Sequence, residues 1–326
     1  MLRLFGPDCH PEPVDPAKVK AIPSSIRWVD LLNPTREEEA LVERTLGQDV
    51  PTREEMIEIE PSSRLYERGG ALFMTASVLH GVTGEEPNND PVSFILTENL
   101  LVTVRYVDPK PFLRFYDHVC AEPSIATDSL SILVRLLDSI VDRLADELES
   151  TAEQMEKVSG QIFASTMPKK SGAKSTERRL EAILLRIGGV QRLLAEIRES
   201  ALSTTRMLGY LEGTKRVAAS KHRAHVKSVL GDARALLDHS SFLVENLTFL
   251  LNANMGLITL EQNWVMKVFS VVAVVLMPPT LIAGIYGMNF EHMPELEWLL
   301  GYPFALMLIL ASAILPYWYA KRSGWL

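Results

Sequence analysis

Ten positions near the C-terminal end of the 326-residue chain share one kind of chemistry. Gly256, Asn263, Ser270, Met277 and Gly284 recur every seven residues, and Thr259, Met266, Ala273, Thr280 and Gly287 lie three further on. These are the a and d positions of a single helix. None is Leu, Val, Ile or Phe, although those four types fill 14 of the 32 positions from 256 to 287. One seam is therefore small, polar or methionine, and the rest of the helix is aliphatic. Two physical readings stay open. Small residues let membrane helices pack closely. Alternatively, the seam faces a water-filled axis, where Asn263, Ser270 and Thr280 offer oxygen without charge to a cation that keeps its waters. The second reading is preferred.

Other candidate chemistry is weaker. His222 and His225 stand three apart on a predicted helix, the spacing of a shared metal. Lys221, Arg223 and Lys227 surround them and would repel a cation, so a solvated basic face is expected. Ser, His and Asp residues occur, but nothing groups them into a triad. No G-x-G-x-x-G, phosphate-binding P-loop or H-E-x-x-H is present, and an enzyme is not expected. Cys9 and Cys120 cannot form a disulfide framework and are expected as inert thiols of a reducing compartment.

The elements that carry the seam follow from hydropathy. Residues 268–290 and 298–320 contain no charged side chain. Each run is close to the ~20 residues that cross ~30 Å of hydrocarbon as a helix. Lys267 precedes the first, and Lys321 and Arg322 follow the second. Glu291, Glu295 and Glu297 fill the loop between them, which has no Lys or Arg. The positive-inside rule predicts both termini in the cytoplasm and the acidic loop outside. The opening residues lack the apolar core of a signal peptide. Trp298, Trp318 and Trp325 lie near span ends, as interface anchors do.

Ahead of the spans, composition excludes both disorder and a nucleic-acid role. The chain is 47% hydrophobic and 23% charged, enough apolar side chain for a packed core. Its 33 basic against 41 acidic residues give a formal charge of −8, the wrong sign for binding phosphate backbones. Residues 1–125 read as a small α/β domain. Thr35 and Glu38 have capping-box spacing for a helix running to Gly47. Pro51–Ile59 reads as a second short helix. Leu72–Leu79, Val92–Leu96 and Leu100–Tyr106 are β-rich, with a hairpin turn at Thr97-Glu98-Asn99. Residues 126–267 form a long-helix region, because no proline falls between Pro168 and Pro278. Asp128–Thr166 has eight acidic against three basic residues, and Lys174–Lys227 has five against twelve. Lys169-Lys170-Ser171-Gly172 is the expected turn between these oppositely charged helices.

The first span ends in Tyr286-Gly287-Met288-Asn289, then Phe290 and Met293-Pro294-Glu295-Leu296. This resembles the CorA family of magnesium/cobalt transporters, with its Gly-Met-Asn signature and MPEL loop. The resemblance continues through Gly301-Tyr302-Pro303 and the closing Lys321-Arg322-Ser323-Gly324-Trp325-Leu326. It extends back through Met277-Pro278-Pro279-Thr280 and Glu261-Gln262-Asn263 to Ser63-Arg64-Leu65-Tyr66 and Pro51-Thr52-Arg53-Glu54-Glu55-Met56. It implies an α+β cytoplasmic domain with long helices and a C-terminal two-helix transmembrane hairpin. The assembly implied is a funnel-shaped homopentameric channel in the plasma (inner) membrane. The first span would line the pore and the second would pack outside it, with 291–297 external and 321–326 a cytoplasmic tail. Gly287 and Met288 would present Asn289 as a ring of amides at the outer mouth. Asn263, Ser270, Met277, Thr280 and Gly284 would line the conduit, and Glu291 and Glu295 would gather cations outside.

The resemblance further implies uptake of hydrated Mg²⁺, with Co²⁺ and possibly Ni²⁺, driven by membrane potential and gated by cytosolic Mg²⁺. Asp232, Asp238 and Glu245 are candidate sensors. The implied partners are these ions, membrane lipid and other copies of the chain, with no nucleic acid and no cofactor beyond Mg²⁺ as cargo and regulator. The alternatives are a zinc transporter of the same superfamily and a membrane-anchored helical scaffold that transports nothing.

Overall fold

A computed structural model describes the chain apart from residues 7–9, 17–18, 20, 59, 83–85, 123–127, 165–172, 290–292, 295–297 and 325–326. It divides into two compact units, Met1–Gln161 with Leu185–Leu250 and Ile162–Leu184 with Leu251–Leu326. The expected turn at 169–172 lies outside the described residues.

The first unit is built on a seven-stranded sheet of order β2-β1-β3-β7-β6-β5-β4. Its strands are β1 (Leu2–Phe5), β2 (His10–Val14), β3 (Trp28–Leu32), β4 (Leu65–Arg68), β5 (Ala71–His80), β6 (Asn88–Leu96) and β7 (Leu101–Arg105). All neighbours are antiparallel except β3 and β7. The three expected β segments are strands β5, β6 and β7, and Thr97 closes the turn between the last two through bonds to Leu100. Strands β1 to β4 were not anticipated.

Helix α1 (Arg36–Leu46) begins at the expected capping box. The Glu38 N–H donates to Thr35 Oγ1, and the Thr35 N–H donates to Glu38 Oε2. It ends at Gly47, whose φ of 69° is strained for any residue with a Cβ. Helix α2 (Arg53–Ile57) is shorter than expected because its own capping box starts it at Thr52, and Ile59 lies outside the described residues. One face of the sheet packs Val29, Leu31, Val102 and Val104 with Leu41, Val42 and Met56 of these helices. Elsewhere in the unit an aromatic cluster forms with α4 (Lys110–Ala121). Phe5 stacks on Trp28 at 4.4 Å and on Tyr116 at 5.2 Å. Cys120, expected as a free thiol, is disulfide-bonded.

A buried polar group locks the one parallel pairing. Arg105 and Asp30 are both fully buried. Arg105 donates Nε to Asp30 Oδ1 at 3.1 Å and a terminal nitrogen to Oδ2 at 3.0 Å. Tyr116 donates to the same Oδ2 at 2.6 Å, and Thr103 donates to Oδ1 at 2.6 Å while accepting from the Trp28 indole. Burial opposes the Arg105 charge, but the Asp30 carboxylate outweighs it and raises the guanidinium further. Burial first, then Asp30, pushes the Tyr116 phenol up, so it stays a donor.

Parts of three long helices complete the unit: α5 (Ser129–Ala164) as far as Gln161, α6 (Ala173–Glu212) from Leu185 and α8 (Arg223–Tyr286) as far as Leu250, with the short α3 (Pro61–Arg64) and α7 (Lys215–Ala218). Strand β4 pairs only Ala71–Met74 of β5. Farther along β5, Ser77 donates its N–H to Ser203 Oγ and accepts from Ser200 Oγ, so α6 satisfies that backbone. In the second unit, α8 continues without interruption through Pro278 and Pro279, and α9 (Gly301–Arg322) follows.

Replacing Arg105 by Met strands a buried carboxylate and is expected to lower stability by about 3–5 kcal/mol. Adding Asp30→Leu to that variant should recover most of the loss. Thermal unfolding of the full chain in detergent reads both, and an Arg105→Met chain as stable as the parent would refute the account.

Candidate functional site

Helix α8 is 64 residues long, about 96 Å at 1.5 Å per residue. All ten seam residues, from Gly256 to Gly287, are exposed in the single chain. The covered face is another one. Val271 is 5% exposed, and Val275, Ile282 and Tyr286 are partly covered. Two apolar cavities lie between α8 and α9. One is bounded by Val271, Val275, Pro316 and Tyr319, the other by Ala283, Tyr286, Tyr302 and Ala305. The two helices therefore run antiparallel, and α9 packs away from the seam. Of the ten, only Gly287 borders it. Close packing against α9 does not account for the small residues. They leave an open groove along α8 that includes Ala273, Met277, Thr280 and Gly284.

The hydroxyls on this face are oriented. Thr259 donates to Met255 O, Ser270 to Met266 O and Thr280 to Leu276 O, at 2.8–3.0 Å. Each proton is turned into the helix, which leaves the oxygen lone pairs as acceptors on the surface. Such a row suits water that donates outward from a cation's shell. Asn263 adds a neutral amide, and Met277, 70% exposed, adds an apolar level between polar ones.

The end of α8 is shaped by Gly287. Its N–H donates to Ala283 O at 3.0 Å, and the Met288 N–H donates to Ile285 O at 3.2 Å. A Cβ at Gly287 would come within 3.2 Å of Ala283 O, which crowds any larger residue there. The chain leaves the helix at that point, and Asn289 stands exposed just beyond it. The unpaired carbonyls of the last turn place partial negative charge at this end. Glu291 and Glu295 lie outside the described residues.

The three candidate sensor residues do not converge within one chain. Among the described residues, no three His, Cys, Asp or Glu side chains are arranged to hold a metal. Asp232 acts electrostatically on Asp142, together with Asp138 and Asp146 of α5. Asp238 and Glu245 are exposed, seven apart on one row. The expected solvated basic face at His222 and His225 is corrected. His222 Nε2 meets Asp128 Oδ2 at 2.8 Å and His225 Nε2 meets Asp138 Oδ2 at 3.0 Å, fastening the start of α8 to α5. The opposite charges of the two helices were the sequence signal for this pairing, but only the fold supplies the register.

Partial burial, then Asp138, Asp146 and Asp232, raise the Asp142 carboxyl. A raised carboxyl resists ionising in the fold, so its charge opposes folding above its pKa, and protonation relieves this as pH falls. Asp142→Asn is therefore expected to raise the melting temperature at neutral pH and low salt. The gain should fade toward about pH 4, where carboxylates protonate. A gain independent of pH would contradict this.

A profile of the family described as CorA-like Mg²⁺ transporter protein matches residues 23–322. The chain is 33% identical over 303 residues to the magnesium transport protein CorA of Yersinia pseudotuberculosis, covering 93% of each. Its fold matches the complete structure of the CorA magnesium transporter from Methanocaldococcus jannaschii with a TM-score of 0.78 at 19% identity. That match covers 100% of this chain and 98% of the other. The ZntB cytoplasmic domain from Vibrio parahaemolyticus matches less of the chain, 70% of it and 86% of its own length, with a TM-score of 0.52 at 10% identity. A family profile spanning nearly the whole sequence and a relative at one-third identity settle the assignment: the chain belongs to the CorA-like Mg²⁺ transporter family.

Proposed function

We propose that several copies of this chain, five by the family resemblance, form a membrane conduit that admits hydrated Mg²⁺. The observation that carries the reading is the oriented acceptor face of α8, turned away from α9 and ending at Gly287-Met288-Asn289. Mg²⁺ sheds its water reluctantly, so neutral oxygens that bind the shell rather than the ion select it without trapping it. Asn289 amides ring the outer mouth, with Glu291 and Glu295 concentrating cations before them. Asn263, Ser270, Thr280 and Gly284 line the path, and Met277 is a constriction that closes by dewetting.

Membrane insertion is supported by burial. The most apolar windows of α8 and α9 are only 6% and 11% buried, whereas a core helix of a soluble protein is mostly buried. The charged flanks support a cytoplasmic side for both termini, and the family resemblance supports the plasma (inner) membrane. Two spans enclose nothing alone, but cyclic symmetry creates an axis. An inside-negative potential drives a dication inward with about 4.6 kcal/mol per 100 mV, twice the value for one charge. Co²⁺, a dication of the same charge, enters by the same route. Asp238 and Glu245, brought near those of neighbouring copies, bind cytosolic Mg²⁺ and favour the closed state. The transported ion itself regulates, and no other cofactor is invoked.

Purified chain in liposomes, offered Mg²⁺, Co²⁺ and Zn²⁺ in turn, tests the reading. Mg²⁺ entry is expected to exceed Zn²⁺ entry, and the reverse order would favour a zinc carrier. Asn289→Ala should abolish Mg²⁺ entry while the assembly keeps its size in detergent; normal entry would remove the amide ring. Met277→Asp should wet the constriction and raise resting leak, and an unchanged leak would place the barrier elsewhere.

A further inference from the structure

The crevice between α8 and α9 at the basic end of the two spans has no part in the conduit. Its volume is about 510 Å³, and it lies on the face of α8 turned away from the seam. The side chains that meet across it are short. Val271 and Val275, four apart on α8, stand against Pro316 and Ala320, four apart on α9. Neither pair fills the gap. Val271 and Ala320 are 5% and 8% exposed and close its floor, whereas Val274, Leu315, Trp318 and Tyr319 are exposed around it. No charged side chain lines it. Such walls offer water few of the polar partners it needs. An empty gap would forfeit dispersion contacts along the whole lining.

Two cations stand at the polar end of this crevice, one from each helix. Lys267 precedes Val271 by four residues, so it lies one turn outward on the same row of α8, and it is exposed. Arg322 ends α9 and lies over the Trp318 ring, 5.2 Å from its centroid. A wall residue of the crevice therefore holds the guanidinium at its rim. We propose that the crevice seats one acyl chain of an anionic phospholipid of the cytoplasmic leaflet, with the lipid phosphate between Lys267 and Arg322. The match runs from end to end, with apolar walls for the chain and cations at interface height for the headgroup. Trp318 and Tyr319 are the amphipathic aromatics that favour the headgroup level. The cytoplasmic leaflet is also the one that carries anionic lipid. A zwitterionic lipid supplies the same chain but no net charge for the two cations. The seat lies within the hairpin of one chain, so it depends on no placement of other copies. It rests on the membrane reading above and not on the conduit.

The test is native mass spectrometry of the full chain purified in detergent with equal amounts of phosphatidylglycerol and phosphatidylcholine. The retained lipid is expected to be mainly phosphatidylglycerol, and excess inorganic phosphate should not displace it. Lys267→Gln and Arg322→Gln should each weaken retention about fivefold, the factor given by about 1 kcal/mol per cation near an anionic surface. Val274→Trp, which fills the crevice from its exposed rim, should expel the lipid while the assembly keeps its size. Equal retention of the two lipids, or displacement by phosphate alone, would overturn the pairing with the headgroup. A chain that retains no lipid yet carries Mg²⁺ in liposomes would overturn the seat and leave the conduit standing. If Val274→Trp dissociates the assembly, a neighbouring copy occupies the crevice and the lipid is overturned. A chain that fails to enter vesicles at all would remove the membrane reading, and the seat with it.

Discussion

A helix in hydrocarbon satisfies its own backbone, but it does nothing for a row of oxygens along one side. That constraint organises the second unit. The hydroxyls of Thr259, Ser270 and Thr280 direct their protons inward to carbonyls four residues back. Their oxygens keep lone pairs free to accept. Helix α9 does not cover them, since it packs on the face of Val271, Val275 and Tyr286. That row is the feature on which the proposed conduit rests.

The same demand for partners shapes the first unit, with a different solution. Where β5 runs beyond β4, serines of α6 take over the strand's hydrogen bonds at Ser77. The parallel junction of β3 and β7 is fixed by Asp30 and Arg105, with Tyr116 and Thr103 completing the carboxylate's shell. These bonds tie the junction to a particular register, so the sheet has little freedom to slip there. The two histidine–aspartate contacts do the equivalent for α8, pinning its first turns to α5.

Much of this was legible from residue type and spacing. The capping box at Thr35, the helix stop at Gly47 and the β5–β7 strands all follow local rules of hydrogen bonding and side-chain alternation. Both apolar helices were visible as charge-free runs. Strands β1 and β3 were missed. Leu2–Phe5 is only four residues long, and Trp28–Leu32 carries Asp30 in its centre, a residue that propensity assigns to turns. Arg105 sits about 75 positions away and neutralises that objection, but no local signal reveals it.

The sequence alone determined that α8 has one non-aliphatic row and that residues 268–290 and 298–320 are charge-free runs long enough to span a membrane. Both are properties of a single segment, carried by its own composition and period. It also determined family membership, because Tyr286-Gly287-Met288-Asn289 stands at a definite place relative to those spans. Only the tertiary structure decided which face of α8 its neighbour covers. It also turned His222 and His225 from a solvated face into a clamp. The reason is that burial and pairing depend on what lies across a gap, and a partner such as Asp128 is 94 residues from His222 along the chain.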